Sequence, residues 1–146
     1  MLGFTYRETL HGGFYLLADP VDERAADLLL DVRATDVAAF VQSRTAKLGG
    51  ELTLGGFADA ARAEGTLVLD RDEKRASYEL GFRGNDGKTY RFRGHKELSW
   101  LNLLDSLTLL QASVYDGDAR EIGRATVRFD ARGNLGSLVR SLRVTT

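Results

Sequence analysis

A mainly β, antiparallel fold is predicted for this 146-residue chain by three observations. Apolar and polar side chains alternate with a period of two in several segments, Asn/Asp-Gly turn signals separate them, and there are sixteen glycines but a single proline. The stretch from Tyr78 to Gly94 carries the clearest pattern. Tyr78, Leu80 and Phe82 alternate with Glu79, Gly81 and Arg83; beyond Asn85-Asp86-Gly87, Tyr90 and Phe92 alternate with Thr89, Arg91 and Arg93. A three-residue loop with Gly87 in the left-handed position sets Phe82 against Tyr90, Leu80 against Phe92 and Glu79 against Arg93. A register shifted by one residue would put aromatic side chains opposite polar ones.

The other elements follow in order. Residues 4 to 18 read as a strand bent or bulged at His11-Gly12-Gly13, and Asp19-Pro20 as a turn. Residues 24 to 33 are a second strand. Thr35-Asp36 caps a helix over 36 to 46, with Val37, Phe40 and Val41 on its apolar side and Gly49-Gly50 as its stop. Glu51 to Leu54 and Gly65 to Leu69 are strands around a small-residue stretch of unassigned form. Asp70 to Arg75 is a charged loop. Ser99 caps a single turn bearing Trp100, Leu103 and Leu104. Leu107 to Tyr115 and Ile122 to Phe129 form a second hairpin about Asp116-Gly117-Asp118, with Ala125, Val127 and Phe129 facing inwards. Leu135, Leu138, Val139 and Leu142 recur at helical spacing, ahead of an extended end from Leu142 to Thr146.

The sum is about eight or nine strands with two short helices in a single domain spanning residues 1–146. Glycines beside strand ends suit the strong bending of a closed antiparallel barrel of lipocalin or calycin type, and a two-sheet β-sandwich is the second choice.

Composition bounds function. The absence of cysteine removes disulfides and thiol chemistry, and places the protein in the cytoplasm by default. The opening Met-Leu-Gly-Phe-Thr-Tyr-Arg-Glu offers no apolar core of signal-peptide length, and no later run is long enough to span a membrane. A net charge of -1 gives no general attraction to nucleic acid, and the stripe of Arg83, Arg91, Arg93 and His95 reads as a solvated strand face. Asp70, Asp72 and Glu73 do not continue into a calcium loop, so no metal is expected. No cofactor is expected either.

The order Gly65-Thr-Leu-Val-Leu-Asp70, Tyr78-Glu-Leu-Gly-Phe82, Gly87-Lys-Thr-Tyr-Arg-Phe-Arg-Gly-His-Lys96, Leu104-Asp-Ser-Leu-Thr-Leu109 and Val114-Tyr-Asp-Gly117 resembles a bacterial β domain. That domain is found beside or fused to GMC-type, cholesterol-oxidase-like flavoproteins and lipase-like hydrolases. The Phe4-Thr-Tyr-Arg-Glu opening is similar in placement. The resemblance implies a lipid-related setting and carries no catalytic signature. A dinucleotide glycine fingerprint and a Gly-x-Ser-x-Gly elbow are both missing from the sequence.

The leading expectation is therefore a non-enzymatic accessory or binding module for an apolar, lipid-like small molecule or a lipid-metabolising partner enzyme. Trp100 and Tyr115 are the candidate ligand contacts, as large aromatics suited to a pocket mouth. The alternatives are a small isomerase, cyclase or hydrolase using His11 or His95 as general base, and a self-associating structural subunit.

Overall fold

The computed structural model describes residues 3–70, 72–97, 109–129 and 143–145. Nine strands and one helix lie within them: β1 (Gly3–Leu16), β2 (Asp19–Ala34), α1 (Val37–Ser43), β3 (Thr45–Leu54), β4 (Ala58–Asp70), β5 (Arg75–Arg83), β6 (Thr89–Glu97), β7 (Leu109–Tyr115), β8 (Glu121–Phe129) and β9 (Arg143–Thr145). Each of β1 to β8 pairs antiparallel with its neighbour in sequence, and β1 pairs with both β2 and β8. The sheet thus closes into an eight-stranded up-and-down barrel, the first choice from sequence, with no open edge around its waist. β9 lies antiparallel to the start of β1, with Phe4 opposite Val144.

The Tyr78–Gly94 hairpin has the register its alternation demanded. Glu79 faces Arg93, Leu80 faces Phe92 and Phe82 faces Tyr90. The Gly84 amide donates to the Lys88 carbonyl at 2.9 Å, closing a loop in which Gly87 takes φ +82°. In the β7–β8 hairpin Ala125, Val127 and Phe129 face in, while Thr126 and Arg128 face out. Its turn is held by the Asp116 carboxylate, which accepts from the Asp118 and Arg120 amides at 2.9 and 3.0 Å.

Three expectations are corrected and one unassigned stretch is resolved. The paired glycines do not bulge β1: its register with β2 runs unbroken from Phe4 opposite Ala34 to Phe14 opposite Arg24. Gly12 answers a different need, since a Cβ there would sit 1.9 Å from the Thr126 carbonyl oxygen of β8. Asp19 and Pro20 do not form the turn but open β2, the turn being Leu17-Ala18; proline is tolerated there because the start of a strand need not donate to the ladder. Helix α1 is shorter than 36 to 46. The Asp36 carboxylate caps it by accepting from the Ala38 amide at 3.0 Å, but Arg44, at φ 59°, ends it, and Gly49-Gly50 lie inside β3. The unassigned small-residue stretch is the first half of β4, where Ala60 at φ 44° and a register shift opposite Leu52 and Leu54 break the alternation that would have marked a strand. The single turn at Ser99 and the second helix, over 135–142, fall outside the described residues.

The interior is one apolar core. Leu10, Leu30, Leu52, Leu54, Leu80, Phe92, Leu110, Val114 and Val127 are fully buried along the lumen. The two ends differ. At the end carrying the β1–β2, β3–β4, β5–β6 and β7–β8 turns, Phe57 folds into the mouth, its ring centroid 4.7 Å from Tyr90, 5.8 Å from Phe14 and 6.3 Å from Phe82. These rings pack against one another at that end. At the opposite end, α1 sets Phe40 edge-on against Phe4 at 5.3 Å.

Candidate functional site

Strand alternation sends Tyr6 and Glu8 of β1, Tyr78 of β5 and Lys96 of β6 towards the lumen, near the end that α1 flanks. The remaining inward side chains in the described strands are apolar except for Tyr90 at the other end, whose hydroxyl donates to Asp86. β1 and β5 stand on opposite sides of the barrel, so the group is assembled across its width. Glu8 and Lys96 are only 8% and 4% exposed, and are the two charged residues buried among those described.

The contacts are specific. The Tyr78 hydroxyl donates to Glu8, at 2.8 Å from Oε2 and 3.1 Å from Oε1. Lys96 Nζ is 3.6 Å from Glu8 Oε1 and 5.1 Å from the centre of the Tyr78 ring. A carboxylate and an ammonium withdrawn from water each carry a large desolvation cost. It is offset here by their mutual attraction, by the tyrosine hydrogen bond and by the ring face.

These surroundings displace the titrations. Burial pushes the Lys96 ammonium below its ordinary range, opposed by the Glu8 carboxylate. Burial foremost, then the Glu8 charge, drives the Tyr78 phenol well above its ordinary value. The Tyr6 phenol moves the same way for the same two reasons. At neutral pH both phenols are therefore protonated donors, beside one buried carboxylate.

The residues singled out by sequence are placed elsewhere. His11 lies on the outer face of β1, its Nδ1 2.5 Å from Asp27 Oδ1, with both side chains about half exposed. His95 and Tyr115 are on the outer wall, where they line one groove of about 640 Å³ together with Tyr15, Arg75, Arg93, Gln111 and Arg124. Trp100 lies outside the described residues. The arginine stripe is on the outer face as expected, with Arg91 and Arg93 held by Glu79 at 3.1 and 3.4 Å. Among the described residues no group of three or more histidine, cysteine, aspartate or glutamate side chains could hold a metal ion, and no helix is long and apolar enough to cross a membrane.

Sequence reading missed the lumen group. Tyr78 was visible only as an inward strand position, and nothing local distinguishes Glu8 or Lys96 from the solvated charges around them. Parity was the available signal: Lys96 shares the face of Tyr90, Phe92 and Gly94, and Glu8 shares that of Leu10.

Fold and site together define a closed antiparallel β-barrel with an ionisable cluster tied across its lumen. No protein-family model, no curated protein and no solved structure matches the chain.

Proposed function

We propose that this barrel is a small-molecule-binding module that receives an uncharged amphiphile at the polar end of its lumen. One observation carries the reading: Tyr6, Glu8, Tyr78 and Lys96 converge near one end of the barrel interior, whose middle is apolar, while aromatic rings cluster at the opposite end. Apolar walls with a few convergent polar groups are the usual make-up of a ligand site. Charge selects the kind of head group. Glu8 and Lys96 balance each other, so an added anion or cation would leave one buried charge unmatched, whereas a hydroxyl or carbonyl exchanges hydrogen bonds without adding charge. The protonated Tyr6 phenol is the donor for such a head, the Tyr78 proton being given to Glu8 while its oxygen can still accept, and the apolar inward side chains suit its body. The lipid-related setting that the resemblance implies points the same way.

Native mass spectrometry on protein purified without detergent tests this, with a sterol and a long-chain alcohol as added probes. One-to-one retention of a neutral amphiphile, weakened at least about tenfold by Tyr78→Phe, is the expected result. If neither probe is retained and no adduct survives purification, the reading is wrong.

A further inference from the structure

The outer wall holds a second site, independent of the lumen. We infer that the groove over β4 to β8 is a binding site for an anionic group, a phosphate monoester or a carboxylate. Its floor is laid down by register. Ser77, His95, Gln111 and Thr126 stand in one row across β5, β6, β7 and β8; Glu79, Arg93, Ser113, Arg124 and Tyr15 stand in the next, which reaches β1. Each row points outwards because its members share strand parity.

Charge gives the groove its sign. Among its lining residues Arg75, Arg93 and Arg124 face a single carboxylate, Glu79, leaving a surplus of two positive charges before His95 is counted. Including the flanking ion partners does not change this, since Glu121, which holds Arg124 at 2.6 Å, is matched by Arg91 on Glu79. The protein as a whole carries -1, so the surplus is local. A comparable groove of about 690 Å³ over β1 to β4 provides the contrast. There Arg7, Arg33, Lys47 and Arg62 face Asp31, Glu51 and Glu64, a surplus of only one, and two ion pairs lie inside the groove, Arg7 with Asp31 at 3.0 Å and Arg62 with Glu64 at 2.9 Å.

Arg75 is the second observation. Its Nε is buried and has no hydrogen-bond acceptor among the described residues, although Glu97 stands opposite it in register. A buried guanidinium donor without an acceptor is costly, and an anion bound by the same guanidinium would offset that cost. Ser77 and His95 lie nearest to it and supply further polar groups, and Gln111 and Thr126 continue that row across β7 and β8. Planar guanidinium groups match both phosphate and carboxylate geometry.

The test is a titration followed by amide NMR on the intact chain, once with inorganic phosphate and once with butyrate, at low and at moderate salt. Saturable shifts concentrated at Ser77, His95, Gln111 and Ser113 are expected. A response to phosphate alone assigns a phosphate ligand, to butyrate alone a carboxylate ligand, and to both a general anion site. Arg75→Gln and the more exposed Arg93→Gln should each weaken binding about tenfold while leaving the lumen amphiphile bound. Shifts that never saturate, that spread evenly over the surface, or that persist unchanged in both variants would overturn the site. Because the readout and the variants lie outside the barrel, its failure and that of the lumen reading are separable.

Discussion

Tyr78 on β5 donates its hydroxyl to Glu8 on β1 at 2.8 Å, joining two strands on opposite sides of the barrel. With Lys96 3.6 Å from the same carboxylate, the bond makes a polar tie through an apolar lumen. Such a tie adds little net stability relative to a well-packed apolar core, but removing one partner strands the other.

Accordingly, Glu8→Leu, which leaves the Lys96 ammonium without its counter-ion, should cost about 3–5 kcal/mol. Lys96→Met should cost a similar amount for the mirror reason. The double variant should be destabilised by far less than the sum, since neither buried charge is left behind. Urea unfolding of the four proteins checks this, and additive losses would show that the pair is not coupled.

Stability should fall in alkaline solution. The Tyr78 and Tyr6 phenols are raised above their ordinary value of 10.0, so above that pH the unfolded chain gives up protons that the folded chain keeps. Each then removes up to about 1.4 kcal/mol per pH unit. Lys96 acts in the opposite sense. Its lowered value means that the folded state releases its proton first, so stability rises with pH until the ordinary value of 10.5 is passed. The steep loss therefore belongs above that point. Thermal unfolding from pH 9 to 12 should show it, and Tyr78→Phe should flatten the slope; an unchanged slope would remove Tyr78 from the account.

Two glycines should behave oppositely. A Cβ at Gly12 would meet the Thr126 carbonyl oxygen at 1.9 Å, so Gly12→Ala forces β1 away from β8 at the barrel seam and should cost about 3 kcal/mol or more. A Cβ at Gly49 would meet nothing within 4 Å, so Gly49→Ala should be neutral or stabilising by up to about 1 kcal/mol. Melting temperatures of the two variants decide; equal effects would refute the close-approach explanation.

Legibility tracked how local the cause was. The β5–β6 register could be read because its determinants, the alternating aromatics and Gly87, lie within one hairpin. The first half of β4 could not, because the bulge at Ala60 resets the alternation and its cause lies in pairing with β3. His95 and Tyr115 stand apart in the sequence, yet they line the same groove, a proximity that comes from the register between β6 and β7. Glu8 and Lys96 carried no mark in sequence beyond their parity.

By itself the sequence determined the period and the turns of the β5–β6 and β7–β8 hairpins, and through them an antiparallel β fold with Phe82 on Tyr90 and Leu80 on Phe92. These follow from interactions between near neighbours, where steric preference and alternation act directly. Closure of β1 on β8, the meeting of Glu8 with Tyr78 and Lys96, and the basic groove over β5 to β8 were decided only by tertiary structure. Each joins residues far apart in the chain, and which of them meet depends on how many strands complete the barrel and in what stagger they close.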